Sequence, residues 1–175
     1  MIRKTVVRLD SETLHQNILH RILSNNQHLN SIDGNNHLYI FEFDDVEFLH
    51  ALLLLGQNPQ RFGYDLTYYL NGLSLLLRYV ESEYLVLDFG SSDFKRRASE
   101  DLGVGVASLF MVKSFKVKWE TITQIPVNKK LTKFTPDFEA TSNGDTYIFE
   151  SKGTTQSHKI EKLLKKGLDQ VKNYK

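Results

Sequence analysis

Apolar residues recur along this chain at two different spacings, and the changes of spacing mark its elements. Over 11–24, Leu14, Ile18, Ile22 and Leu23 fall on one face of a predicted helix. Over 38–43 the period shortens to two, with Leu38 and Ile40 alternating against Tyr39, Phe41 and Phe43, as in a strand. Between these segments, Asn25, Asn26, Asn30, Asn35 and Asn36, with Asp33 and Gly34, predict a loop. Asp44 and Asp45 can cap a helix running to about Leu55, stopped by Gly56 and Pro59. A further helix is predicted over 65–79 and a short buried strand over 84–89.

The second half reads as a different unit. A helix is predicted over 98–112 and a strand over 114–121, followed by a lysine-bearing loop at Asn128, Lys129 and Lys130. Two more strands are predicted over 134–141 and 146–152, and a last helix over 157–175 with Ser157 as its N-cap. The order helix, three strands, helix sets 92–175 apart from an N-terminal α+β segment over 1–91.

Charge sharpens that division. The net charge is only +1, but 1–91 holds 6 basic and 11 acidic residues while 92–175 holds 16 and 10. A basic C-terminal half suits a polyanionic partner, and the acidic N-terminal half is suited to a protein partner. Cysteine is absent, which excludes disulfides, zinc–thiolate sites, iron–sulfur clusters and a cysteine nucleophile, and fits a reducing cytoplasmic setting. Met1, Ile2, Arg3 and Lys4 lead into no apolar run, so no signal peptide is expected, and no apolar run is long enough to span a bilayer. His15, His20, His28, His37 and His50 show no metal-ligand spacing.

The candidate chemistry sits on a hairpin. Asn143 and Gly144 accept the positive φ angles of a type I′ turn. With those two residues as the loop, Ser142 pairs with Asp145, and the same register sets Asp137 opposite Glu150. Lys152 shares that face, and Phe138, Tyr147 and Phe149 take the other. Two opposed carboxylates repel unless compensated, and a hard divalent cation favours such oxygens. An acidic pair with a lysine on one sheet face is therefore predicted from the residues themselves.

Pro136-Asp137, followed after twelve residues by Glu150-Ser151-Lys152, resembles the motif of the PD-(D/E)XK nuclease superfamily, and the order helix, three strands, helix over 93–175 is similar to that family's core. The resemblance implies an α/β (α+β) fold with a restriction-endonuclease-like core, a helix, a three-stranded meander and a helix, preceded by the N-terminal α+β segment. It implies Asp137, Glu150 and the Ser151 carbonyl as ligands of Mg²⁺ or Mn²⁺, with Lys152 stabilising the attacking hydroxide or the phosphate. Many members carry a glutamate on the first core helix; Glu100 is the counterpart, at the start of the stripe Glu100, Val104, Ala107 and Met111. Gln170 and Tyr174, one turn apart, resemble a Gln-x-x-x-Tyr signature of RecB-like branches, on a stripe with Leu163 and Gly167 beside the apolar row Ile160, Leu164, Leu168 and Val171. Family members usually have another strand after this helix, so either the sequence is a fragment or the N-terminal segment supplies that part of the sheet.

The implied activity is metal-assisted phosphodiester hydrolysis, with DNA as the expected partner. Lys95, Arg96, Arg97, Lys129, Lys130 and Lys133 are candidates for neutralising flanking phosphates, with Tyr174 beside them in contacting nucleic acid. A homodimer is compatible with the sequence. Two other readings stand beside this one: a catalytically silent nuclease-like DNA-binding module in a larger assembly, and a protein-interaction module working through the acidic half.

Overall fold

The computed structural model describes residues 2–8, 16–25, 29–33, 38–56, 91–126, 136–152 and 157–174. Among them are four α-helices and two three-stranded antiparallel sheets, so the chain is mixed α+β. It divides into two units, Met1–Asp88 and Phe89–Lys175. Among the described residues no helix is long and apolar enough to cross a membrane.

The first unit contains β1 (Ile2–Arg8), α1 (Gln16–Asn25), β2 (Leu29–Asp33), β3 (Leu38–Asp44) and α2 (Asp45–Gly56), with sheet order β1-β3-β2. β3 lies between the other two strands, and its residues alternate in burial. Tyr39, Phe41 and Phe43 are buried on one face while Leu38, Ile40 and Glu42 are half-buried. The Phe43 ring lies 5.6 Å from that of Phe41 and 5.2 Å from that of Phe48 on α2. Ala51 and Leu52 of α2 and Leu19 and Ile22 of α1 are also buried. β2 corrects the loop expected in the asparagine-rich stretch. Leu29 and Asn30 pair with Phe41 and Ile40, so backbone pairing to the central strand overrides local polarity at this edge. The helix and strand expected over 65–79 and 84–89 lie outside the described residues.

The expected cap of α2 is present and reciprocal. The Glu47 N–H donates to Asp44 Oδ1 at 2.8 Å, and the Asp44 N–H donates to Glu47 Oε2 at 3.1 Å, forming a capping box. Asp44→Ala is expected to cost about 1 kcal/mol. A urea-melt midpoint that did not move would show that the box contributes nothing to the unit's stability.

The second unit contains α3 (Ser92–Phe115), a 3₁₀ turn (Trp119–Thr121), β4 (Thr123–Gln124), β5 (Phe138–Ser142), β6 (Asp145–Phe149), a second 3₁₀ turn (Ser157–Lys159) and α4 (Ile160–Lys172). The sheet order is β4-β5-β6, with sequence neighbours adjacent and antiparallel. The strand expected over 114–121 is absent. α3 continues to Phe115, whose ring packs edge-on against Tyr147 of β6 at 5.0 Å, and the helix stops because Lys116 takes a left-handed φ of 56°. Beyond Lys116 the chain still runs beside β5, through side chains instead of a ladder. Thr121 Oγ1 donates to the Thr141 carbonyl at 2.9 Å, and Ser142 Oγ donates to the Lys116 carbonyl at 3.1 Å. The alternation of Phe115 and Val117, both buried, therefore spans a helix end and a bend.

Ser157 does not cap α4. The helix begins at Ile160 with Lys159 in the capping position and no side-chain cap, and Ser157 opens the preceding 3₁₀ turn. The expected apolar row on α4 is also only partly covered, since Ile160 and Leu164 are 46% and 54% exposed while Leu168 and Val171 are half-buried. The helix packs instead through Gly167, which is buried.

Candidate functional site

The hairpin has the expected register. Phe138 pairs with Phe149, Ala140 with Tyr147 and Ser142 with Asp145, around a turn in which Asn143 and Gly144 have φ of 54° and 86°. Phe138 and Phe149 stack at 5.3 Å on the apolar face. Asp137 and Glu150 come one step beyond the last ladder pair.

There the backbone ladder gives way to a side-chain clamp. The Asp137 N–H donates to Glu150 Oε2 at 2.7 Å, and the Ser151 N–H donates to Asp137 Oδ2 at 3.2 Å. Lys152 forms an ion pair with Glu150 Oε1. Each carboxylate thus accepts a backbone N–H from the opposite strand end or its extension, and one ammonium offsets the charge of the more buried acid. That is how two opposed acids are tolerated on one face. On the other side the Asp137 carbonyl accepts the Ile125 N–H at 3.0 Å, so the residue is held from the β4 side as well.

α4 covers this cluster. A Cβ built on Gly167 would lie 3.3 Å from Glu150 Cγ and 3.5 Å from Lys152 Cγ, so a side chain there would force Glu150 or the helix to give by a few tenths of an ångström. The Glu150 side chain is 3% exposed and that of Lys152 20%. Gln170, one turn on from Gly167, has its side-chain Oε1 buried, whereas Tyr174 is exposed.

Burial pushes the Lys152 ammonium below the ordinary lysine value of 10.5. Asp137 and Glu100 oppose that shift, and the like charge of Lys166 adds to it. Between the lowered value and 10.5 the unfolded chain binds more protons than the folded one, so Lys152 makes stability rise with pH across that window. Below it, both states carry the charge and the cost of burying it is present in full. The Lys152 side-chain carbon resonance, identified by its loss in Lys152→Arg, is expected to titrate below 10.5 in metal-free buffer; an unshifted titration would mean that the ammonium is open to solvent.

Glu100 is placed otherwise than in a three-carboxylate shell. Its side chain is 49% exposed and takes an ion pair from Arg96 at 3.2 Å, although its charge is felt at Lys152. Among the described residues no three of His, Cys, Asp and Glu come together as a metal-holding group. Of the stripe that Glu100 opens, Val104 and Met111 are buried and Ala107 is half-buried. Lys95 and Arg96 lie on the first turns of α3, and the backbone of Arg97 continues the helix. Lys129, Lys130 and Lys133 lie outside the described residues.

Gly167, on the stripe that carries Gln170 and Tyr174, belongs to this site as well. The signal for Gly167 was in the letters, as a glycine inside a Leu- and Lys-rich helix where it costs about 1 kcal/mol relative to alanine. Comparison of the chain with protein families, curated proteins and solved structures gives no match.

Proposed function

We propose that 89–175 adopts a restriction-endonuclease-like core and acts as a Mg²⁺-dependent nuclease on DNA, with Asp137 and Glu150 as its metal-holding carboxylates. The observation that carries this reading is the reciprocal clamp of Asp137 and Glu150 with Lys152 beside them, all contributed by one hairpin.

The donor chemistry suits the ion. Mg²⁺ takes oxygen ligands, and one or two carboxylates suffice because it retains waters and binds substrate phosphate. Asp137 Oδ1 accepts no hydrogen bond among the described residues, and each Glu150 oxygen keeps a lone pair beyond its present contact. When bound there, Mg²⁺ would polarise the phosphoryl oxygen and acidify a coordinated water.

The chain's own residues supply the rest. The Ser151 N–H orients the Asp137 carboxylate, and the Asp137 N–H orients Glu150. Lys152 places a positive charge within the cluster, the kind of donor that stabilises charge developing on a phosphate in the transition state. Gly167 brings α4 against Glu150, excluding water from one side and strengthening the electrostatics inside.

Purified protein is expected to cut at least one member of a panel of linear, nicked and branched DNA with Mg²⁺ and none with EDTA. Absence of cleavage on DNA and on a matching RNA panel would overturn the assignment. The position of Glu100, paired with Arg96 outside a three-carboxylate group, favours as second reading a nuclease-like fold that binds DNA without cutting it. Calorimetry with Mn²⁺ separates the two: heat that disappears in an Asp137 variant supports the nuclease, and no heat with retained DNA binding supports the silent module.

A further inference from the structure

An apolar row on α4 lies open to solvent. Ile160 and Leu164 are 46% and 54% exposed, and Leu168 and Val171, further along the same row, are half-buried. At about 100° per residue the four side chains fall within about 80° of the helix circumference. Gly167, which meets the hairpin, lies about 20° beyond one edge of this row. Glu161 and Lys172 lie about 20° and 40° beyond the other edge, at Leu168. Both are exposed, and neither side chain makes an ion pair or hydrogen bond among the described residues.

Covering such a row is favourable, and this one is complementary to itself. A two-fold axis set across the helix at the level of Lys166 generates a second helix running antiparallel to the first. Leu164 then comes level with the partner's Leu168, and Ile160 within about 1.5 Å in height of the partner's Val171. The same axis keeps each flank on its own side of the pair, so the flank bearing Glu161 and Lys172 meets its own copy. Glu161 stands within about 1.5 Å in height of the partner's Lys172, and symmetry makes that pairing twice. A parallel pair would set Glu161 against Glu161 and Lys172 against Lys172. The helix dipole favours an acid in the first turn and a base in the last on any face, but it does not set both beside the same edge of an open row.

We propose that α4 is a homodimer interface, in which two copies of the chain pair antiparallel through Ile160, Leu164, Leu168 and Val171, with Glu161 and Lys172 bridging reciprocally along the rim. The claim stands apart from the nuclease reading. Two helices about 20 Å long give a contact below about 1,200 Å², which sets the association in the transient class. An anionic membrane is the competing occupant for an apolar row on a lysine-rich helix. Glu161 at the edge of the row counts against it, since its carboxylate would meet like charge at such a surface.

Sedimentation equilibrium of the full chain over a micromolar concentration series is expected to show a mass rising from 20.3 kDa toward twice that value. Leu164→Glu, at a position more than half exposed, is expected to stay at monomer mass with an unchanged far-ultraviolet spectrum. Glu161→Lys and Lys172→Glu each turn two attractive contacts into two repulsive ones, and each is expected to raise Kd by about tenfold. The double exchange Glu161→Lys/Lys172→Glu is expected to restore the wild-type Kd. That rescue is specific to antiparallel pairing, because a parallel dimer keeps like charges opposed in all three variants. Both exchanged residues are exposed, so they decide the question however Leu164→Glu folds. A wild type that stays monomeric throughout the series overturns the proposal, and Leu164-dependent binding of that monomer to phosphatidylserine vesicles would give the row to a membrane. A dimer that persists in a folded Leu164→Glu protein, or that the double exchange fails to restore, overturns it equally.

Discussion

Asp137→Asn is expected to lower Mg²⁺-dependent kcat/KM by about 10³-fold or more while the protein stays folded. The substitution keeps the side chain's shape, and the amide oxygen can still accept the Ser151 N–H that now reaches Oδ2 at 3.2 Å. The Asp137 N–H that holds Glu150 is backbone and is untouched. What is lost is one of the two negative charges that would hold the ion. A metal's stabilisation of transition-state charge amounts to several kcal/mol, and about 4 kcal/mol is a factor of roughly 10³ in rate. Stability should hold or rise slightly, because one of two opposed like charges has gone. Glu150→Gln is the poorer test. It strands Lys152, whose side chain is only 20% exposed, and removing one partner of a buried pair costs about 3–5 kcal/mol. Cleavage rates with Mg²⁺ and thermal midpoints on the same preparations decide the matter. A well-folded Asp137→Asn protein cutting at the wild-type rate would remove this carboxylate from the mechanism.

The geometry around Asp137 was legible in the sequence because a two-residue Asn-Gly turn sets register by counting, and one slipped residue would have moved every side chain to the other face. Ser142 opposite Asp145 therefore places Phe138 opposite Phe149, and the acids one step further. The reciprocal N–H clamp was not legible, since nothing in the letters says that the ladder stops at Phe149 and side chains take over. The same limit explains the strand expected over 114–121. Phe115 and Val117 alternate correctly, but a left-handed Lys116 between them converts the alternation into a helix end and a bend. Local composition misled in the opposite direction at β2, where Asn30 and Ser31 look like loop residues yet pair with Ile40 and Tyr39. In each case a contact distant in sequence outweighed the local pattern.

On α4, amphipathic pattern and packing diverge. Ile160, Leu164, Leu168 and Val171 form the most apolar row, but the helix meets the hairpin along Gly167, because the residue without a side chain permits the closest approach. At this close approach Glu150 is 3% exposed, and burial lowers the pKa of Lys152.

Substitution at Gly167 should therefore separate activity from stability. In Gly167→Ala the helix gains about 1 kcal/mol of intrinsic preference. Against this, a new methyl at 3.3 Å from Glu150 Cγ must push that side chain, or the helix, by a few tenths of an ångström. Glu150 has little room to yield, being tied to the Asp137 N–H through one oxygen and to Lys152 through the other. The two effects should leave unfolding free energy within about 1 kcal/mol of wild type, while cleavage falls about tenfold as the carboxylate leaves its position beside Asp137. Gly167→Val adds branched bulk at the same point. Overpacking should cost about 1–3 kcal/mol, and cleavage should fall about 10²-fold. Denaturant melts and kcat/KM on both variants give the comparison. If Gly167→Ala gained the full helix preference and cut DNA at the wild-type rate, the close approach of α4 would be packing alone, with no hold on the geometry of Glu150.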